Sequence, residues 1–132
     1  MGTSLEVSRL VLGGITMFKD SDAATTVRKD LFAGKCRVME VAVTNNSALS
    51  AESVSLVVFD DSNPTLNTSV EDYVLDVPTN GTRTFQLNPG STTPGVQFDN
   101  GFSFAVVKSA TWATTATAPT GTCTVFVWGK EV

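Results

Sequence analysis

The sequence predicts an all-β protein, a single-domain antiparallel β-sandwich of two sheets spanning residues 1–132. Only 17% of its residues are charged, while threonine, valine and phenylalanine are abundant and glycine or asparagine turns separate short apolar runs. A chain of 132 residues is long enough for one domain with its own core. Long crossing segments at 13–35 and 109–121 favour a jelly-roll-like connectivity, with an immunoglobulin-like one as the alternative.

The run 122–128 predicts the strand around which the rest of the chain is organised. Its odd positions, Cys123, Val125 and Val127, form one apolar stripe, and Phe126 and Trp128 follow on the opposite face. Apolar cover on both sides is typical of a central strand, or of one whose outer face meets another chain. We expect this strand to pair with 102–107.

The other strands are predicted from alternating apolar residues. They are expected at 5–12, 36–44, 54–60, 70–77, 83–87 and 96–98, with a further short strand around 15–18. The run 54–60 is apolar on both faces at its end, which indicates a central position. The segment up to residue 35 is expected to be a loop with one helical turn at most, because its β-branched residues weaken a helix.

Two Asn-Gly turns are predicted to close hairpins. The turn at 79–81 would join 70–77 to 83–87, and the turn at 99–101 would join 96–98 to the strand that follows. A three-residue loop keeps the two apolar stripes of each hairpin on one face, which a two-residue loop does not. Gly81 and Gly101 are therefore expected in the left-handed conformation of a bulge.

Composition excludes several functions. The chain has no histidine, which removes Ser-His and Cys-His nucleophile pairs and the commonest zinc ligand. Its net charge of −4, with no basic stripe, argues against nucleic acid. It has no apolar run of membrane-spanning length and no apolar core of a signal peptide, so we expect a soluble protein made in a cytoplasm.

Two groups of residues are weighed as chemical sites and set aside. Cys36 and Cys123 are expected to be reduced, buried thiols. Oxygen-bearing side chains that could bind calcium cluster at Asp60, Asp61, Asn63, Glu71 and Asp72. Their spacing matches no calcium loop, and a solvated turn is the favoured interpretation. We predict no catalytic residue, no cofactor and no metal.

The loop 109–121 is uncharged over thirteen residues and contains one large aromatic residue, Trp112. Trp112 either folds back over one end of the sandwich or forms an uncharged contact surface; a sugar-stacking role is a third interpretation. The partner-contact candidates are Trp112, Thr111, Ala113, Thr114, Trp128 and Phe126.

Residues 70–130 combine a Val/Leu strand, a glycine turn and the segment Gly-Val-Gln-Phe-Asp-Asn-Gly-Phe-Ser-Phe-Ala-Val at 95–106. A Thr/Ala/Pro-rich loop and the closing Thr-Val-Phe-Val-Trp follow. This half of the chain resembles small β-rich structural proteins of tailed-phage virions, a class with no catalytic signature.

The resemblance implies a non-enzymatic virion protein made in the host cytoplasm. The first expectation is a capsid decoration (cement) protein at the capsid surface. Its partners would be the assembled major capsid protein and, as a homotrimer, itself. Residues 1–35 would then include a contact arm. The alternatives are a tail, neck or fibre-associated virion protein, or a carbohydrate-binding module.

Overall fold

A computed structural model of the chain describes residues 5–9, 14–46, 52–78, 81–109 and 115–132. These residues contain no α-helix and form nine strands. The strands are β1 (Leu5–Arg9), β2 (Thr16–Asp20), β3 (Cys36–Asn45), β4 (Val54–Asp60), β5 (Tyr73–Val77), β6 (Thr82–Gln86), β7 (Val96–Phe98), β8 (Phe102–Lys108) and β9 (Cys123–Glu131). They form two antiparallel sheets that enclose one core, which confirms the predicted β-sandwich.

The order of strands is that of a jelly roll. Sheet A runs β1-β2-β9-β3-β6, with β7 also paired to β3, and sheet B runs β5-β4-β8. The segment 24–31 lies along the other edge of β8, where Arg28 and Phe104 exchange backbone hydrogen bonds of 2.8 and 3.1 Å. Antiparallel pairs are thus nested: β2 with β9, 24–31 with β8, β3 with β6 and β7, and β4 with β5. Such nesting wraps a long antiparallel ribbon into two sheets.

Two central strands were correctly predicted. β9 lies between β2 and β3, and β4 lies between β5 and β8. The predicted pairing of β9 with β8 is wrong, because β8 belongs to sheet B and faces β9 across the core. Alternation of apolar residues indicates which side chains of a strand are buried. It does not show whether a second strand with the same pattern lies next to the first in one sheet or across the core in the other sheet.

Both predicted hairpins are wrong for the same reason. β5 and β6 lie in different sheets, as do β7 and β8, so each turn carries the chain across the sandwich. The apolar stripes still meet, since Leu75 on β5 and Phe85 on β6 contact one core from opposite sides. Gly101 has the expected positive φ, at 121°. The conformation predicted for Gly81 depends on the turn at 79–80, outside the described residues.

Strand boundaries differ little from those expected. β1 is described over Leu5–Arg9, and residues 10–12 of the predicted strand lie outside the described residues. β5 begins at Tyr73 rather than at residue 70. The segment 21–35 is a loop without a helical turn. Its hydrogen bonds to the strands go to β8, to Asp20 on β2 and to Cys123 on β9.

A second apolar cluster lies on the outer face of sheet B. It consists of Val57, Phe59, Ala105 and Val107, and residues of three connecting segments pack against it: Val27, Leu66 and Ala116. The crossing segments that predicted a jelly roll therefore cover the outer face of sheet B. This leaves the outer face of sheet A as the one to consider for contacts.

Candidate functional site

The aromatic residues at the end of β9 lie on the outer face of sheet A. Cys123, Val125 and Val127 are buried in the core, whereas Phe126 and Trp128 are partly exposed. The two rings are stacked, with centroids 5.8 Å apart and planes 20° from parallel. Neither ring belongs to the two apolar clusters formed by the described residues. Phe126 and Trp128 therefore lie outside the core, on the outer face of sheet A, and their role in a contact stays a prediction.

The strands on either side of β9 surround the ring pair with one residue of each charge. On β2, Lys19 is the register partner of Phe126, and its amino group lies 5.8 Å from the ring centroid. On β3, Glu40 is the register partner of Trp128 and accepts a hydrogen bond of 3.4 Å from Gln86. An aromatic centre with charged residues at its sides is the usual composition of a protein contact surface.

We name the surface formed by Met17, Lys19, Glu40, Phe126 and Trp128 the aromatic face. Met17 is the register partner of Trp128 on β2, so it extends the apolar centre. The buried Ala42 lies beside Phe126 on β3 and leaves the ring uncrowded on that side. Sequence reasoning found Phe126 and Trp128 but missed Met17, Lys19 and Glu40. Their alternation with core residues was visible in each strand, but their proximity depends on the neighbours of β9.

The other contact candidates cannot be placed. Trp112, Thr111, Ala113 and Thr114 lie outside the described residues, so their contact role stays a prediction. The rest of the same loop is tied to the fold. The amide of Ala116 donates to Asn67 Oδ1 at 2.8 Å, and the amide of Lys108 donates to the carbonyl of Thr117 at 3.0 Å. Residues 115–121 thus belong to the cover of sheet B.

Glu52 fixes the far end of that loop. Its carboxylate accepts hydrogen bonds from the Thr120 amide at 2.8 Å and the Thr120 hydroxyl at 2.6 Å. Lys108 Nζ lies 3.7 Å from the same carboxylate. The hydrogen bond from the Thr120 hydroxyl is the main cause that lowers the pKa of Glu52, and it outweighs the opposing effect of burial.

The acidic residues near β4 and β5 accept hydrogen bonds from backbone amides. Asp60 accepts a hydrogen bond from the Asn100 amide at 2.9 Å, and Asp72 accepts one from the Asp60 amide at 2.6 Å. Asp61 accepts one from the amide of Asn63. Within the described part of the chain, no three His, Cys, Asp or Glu residues are grouped as a metal site requires. The interpretation as ordinary turn residues agrees with these bonds.

The two cysteines are free and buried, as expected. Cys36 is paired with Glu131 and Cys123 with Asn45, at opposite ends of the β3–β9 ladder. Burial raises the pKa of the Cys36 thiol to about 12 and that of the Cys123 thiol to about 11. Little thiolate forms near neutral pH at these pKa values. Because the thiolate is the reactive form, neither cysteine is an effective nucleophile.

The contact arm expected within residues 1–35 stays a prediction, and the described part of that segment includes strands of the sandwich. β1 pairs with β2 over five residues, and 24–31 lies along β8. In the ranges that are described, no helix is long and apolar enough to cross a membrane.

Comparison of the chain with models of known families gave no match. Comparisons with curated proteins and with solved structures gave no match either.

Proposed function

We propose that the chain is a non-enzymatic structural protein of a virus particle, and that it is a capsid decoration protein which binds the assembled major capsid protein. The observation that carries the proposal is the aromatic face. A stacked aromatic pair lies on a rigid sheet, outside both apolar clusters of the described residues. The class of protein comes from the resemblance of residues 70–130 to virion structural proteins.

The fold suits a protein that acts by association. The central strands β4 and β9 are each hydrogen-bonded to a neighbouring strand on both sides. Connecting segments pack against the outer face of sheet B. A rigid surface loses little conformational entropy on binding, so more of the contact energy appears as affinity. A protein that binds only assembled subunits stabilises the assembly by mass action, without any chemical step.

The polar groups support a binding role rather than catalysis. The side chains that most resemble acid or base candidates, Asp60 and Asp72, accept backbone hydrogen bonds, and both thiols are buried with raised pKa values.

The test is quantitative mass spectrometry of virus particles purified from cells that carry the gene in its natural genome. The proposal predicts that the chain is present in a fixed ratio to the major capsid protein, whatever the purification method. Particles that lack the chain, from cells that contain it in quantity, would reject the proposal.

A carbohydrate-binding module is the second candidate, because one observation favours it. Glu40 is the register partner of Trp128 and accepts a hydrogen bond from Gln86, and aromatic rings with polar groups on neighbouring strands are a common arrangement for sugars. Glycan-array binding that is lost in Trp128→Thr and kept in Trp112→Ala would support this function at the aromatic face. Loss in Trp112→Ala alone would assign the sugar to the loop 109–121.

A further inference from the structure

A cleft lies between the two sheets, where β4 ends and β5 begins. It is lined by Asp60, Asp72, Tyr73, Val96, Gln97 and Phe98. Asp60 ends β4, Tyr73 begins β5, and the last three residues form β7. Because β4 and β5 belong to sheet B and β7 to sheet A, both sheets bound the cleft. Its volume of about 170 Å³ has room for a group of several heavy atoms, since a water molecule needs only about 15 Å³.

One wall of the cleft is the ring of Tyr73. Tyr73 is 41% exposed, although the strand that it begins is buried at its other end. The buried ring of Phe98 packs against it edge-on, with the ring centroids 6.2 Å apart and the planes 66° from parallel. Phe98 therefore holds the tyrosine ring in place, and part of that ring stays accessible to solvent at the cleft.

Two carboxylates lie at the cleft, and each is fixed through one of its oxygens. Asp60 Oδ1 accepts a hydrogen bond of 2.9 Å from the Asn100 amide, and Asp72 Oδ2 accepts one of 2.6 Å from the Asp60 amide. Within the described residues, the second oxygen of each carboxylate has no hydrogen bond. The ion pairs of these residues are Asp20 with Arg28, Lys35 with Asp99, and Lys108 with Glu52, so neither carboxylate is paired with a cation.

The polar groups that remain at the cleft are mainly hydrogen-bond acceptors. The side chain of Gln97 is already engaged, because its amide donates to Asp99 at 2.8 Å and its oxygen accepts from Arg37 at 3.3 Å. What remains is the second oxygen of each carboxylate, which can only accept, and the hydroxyl of Tyr73. A ligand that supplies several donors and needs no acceptor would match these groups.

The charge around the cleft is negative. Asp61 and Glu71, which are next in sequence to the two carboxylates, are acidic as well. The basic side chains of neighbouring segments, Lys29, Lys35 and Arg37, have partners that do not line the cleft, namely Asn63, Asp99 and the carbonyl of Gly95. The cleft thus keeps two carboxylates without a counter-ion, and a cationic ligand would be attracted to it.

We infer that the cleft binds the guanidinium group of an arginine side chain, which a partner protein inserts between the two sheets. A guanidinium has five N–H donors and no acceptor, and its planar fork pairs with carboxylate oxygens. Its flat face stacks on an aromatic ring such as that of Tyr73. An ammonium group lacks this plane, and the hydroxyls of a sugar would need donors as well as acceptors from the cleft.

The side chain of a partner is favoured over free arginine. The α-carboxylate of a free amino acid would approach an acidic surface and be repelled, whereas an arginine within a peptide chain carries no such charge. Arginine is also among the residues that contribute most to binding at protein interfaces. Arginine binding at the cleft depends neither on the aromatic face nor on the protein belonging to a virus particle.

The first experiment titrates the ¹⁵N-labelled full chain with N-acetyl-L-arginine amide and follows the backbone amide signals by NMR. The matched control ligand is N-acetyl-L-citrulline amide, which replaces the guanidinium by a neutral urea of similar shape. We expect the signals of Asp60, Tyr73 and Asn100 to move, and the arginine derivative to bind at least about tenfold more tightly than the citrulline derivative. Signals that move only elsewhere, or equal binding of the two derivatives, would overturn the inference.

Two further ligands test the choice of group and of source. N-acetyl-L-lysine amide should bind more weakly than the arginine derivative, because its charge cannot stack or form a fork. Free L-arginine should also bind more weakly, because of its α-carboxylate. Tighter binding of either one than of N-acetyl-L-arginine amide would reject a partner's arginine as the occupant.

Substitutions of the carboxylates test their part in the site. Asp60→Asn and Asp72→Asn keep an oxygen that can accept the backbone hydrogen bond but remove the charge, and each should weaken binding of the arginine derivative about tenfold. Asp61→Asn is the control, because it makes the same change in net charge at a residue that does not line the cleft. An Asp61→Asn protein that loses as much affinity as Asp72→Asn would overturn the inference.

Substitutions of Tyr73 test the ring separately, so the site stays testable even if a carboxylate variant fails to fold. Tyr73→Phe keeps the ring and should bind within about twofold of wild type. Tyr73→Thr suits a strand but removes the ring, and it should bind about fivefold more weakly. Thermal unfolding beside each titration shows that the variant is folded. A folded Tyr73→Thr protein with wild-type affinity would contradict stacking at the cleft.

These outcomes are separable from the proposed function. Particles that contain the chain, together with a purified protein that does not bind the arginine derivative, would overturn the arginine site and leave the virion assignment in place. Binding that Asp72→Asn weakens and Asp61→Asn does not, together with particles that lack the chain, would support the site and reject the assignment.

Discussion

Arg28 binds the carboxylate of Asp20 with two hydrogen bonds, from Nε to Oδ2 at 2.6 Å and from Nη2 to Oδ1 at 3.1 Å. The Asp20 side chain is 1% exposed and that of Arg28 is 15% exposed. Asp20 ends β2 of sheet A, whereas Arg28 lies in the segment that runs along β8 of sheet B. The hydrogen bond to Asp20 raises the pKa of Arg28 in spite of its burial, so the guanidinium stays protonated and its bonds to Asp20 join the two sheets.

Asp20→Asn is expected to lower the free energy of unfolding by about 3 kcal/mol, because the substitution leaves the guanidinium of Arg28 without its anion in a buried place. Urea unfolding followed by tryptophan fluorescence measures the change. Lys35→Gln is the matched control. It removes an exposed pair separated by 4.0 Å, which is expected to contribute less than about 0.5 kcal/mol. Equal effects of the two substitutions would contradict the role of the buried pair.

Gly101→Val is expected to destabilise the fold by about 2 kcal/mol or more. Its φ of 121° is one that side-chain-bearing residues rarely adopt, and a Cβ there would lie 2.6 Å from Asp30 Oδ1. Gly90→Val is the control, because nothing lies within 4 Å of a Cβ at that position. Thermal unfolding of the two variants measures the difference. A Gly101→Val protein that melts with the wild type would show that the crossing at 99–101 does not need glycine.

Both thiols are expected to resist labelling in the folded protein. Burial raises the pKa of Cys36 to about 12 and that of Cys123 to about 11, so almost no thiolate forms near neutral pH. A disulfide reagent should therefore detect no thiol in native protein and both thiols after unfolding in guanidinium chloride. Fast labelling of one thiol in native buffer would contradict the buried position of that cysteine.

Glu52 is expected to make stability depend on pH. Its pKa is lower in the folded protein than the ordinary value of 4.5, chiefly because Thr120 donates to the carboxylate. A lowered folded-state pKa contributes stability above the unfolded-state value, and this contribution is lost as the pH falls through the folded-state pKa. Glu52→Gln should therefore melt below wild type at neutral pH, and the gap should close in acid.

Thr120→Val provides the control for that prediction. The substitution removes the hydroxyl donor at 2.6 Å and leaves the backbone amide donor at 2.8 Å. Glu52→Gln should therefore cost less in the Thr120→Val background than in wild type. A gap between Glu52→Gln and wild type that stays constant from neutral pH to acid would refute the proposed ionisation.

The sequence predicted the layers of this fold better than their order. Cys123, Val125 and Val127 indicated the buried stripe of β9, and Phe126 and Trp128 its outer face, because alternation within one strand is a local property. The partner of each strand is not local. A turn such as 99–101 looks the same whether it closes a hairpin or crosses to the other sheet, since the apolar stripes on either side face one core in both cases.

The aromatic face was likewise predictable only in part, because some of its residues come together through strand pairing. Two of its residues, Phe126 and Trp128, were visible in a single strand. Lys19 and Glu40 became part of the site only when β2 and β3 were placed on either side of β9. They are far apart in sequence from the ring pair, and each alone is an ordinary charged residue in a strand.

The central claim is that the chain acts by binding an assembled shell. The most direct test adds the purified chain to particles made without its gene, and measures both the copies bound and the temperature at which the particles break open. We expect saturable binding and a higher breaking temperature, because a ligand that binds only the assembled state stabilises that state. Particles that bind none of the chain, or that break at an unchanged temperature once it is bound, would contradict the claim.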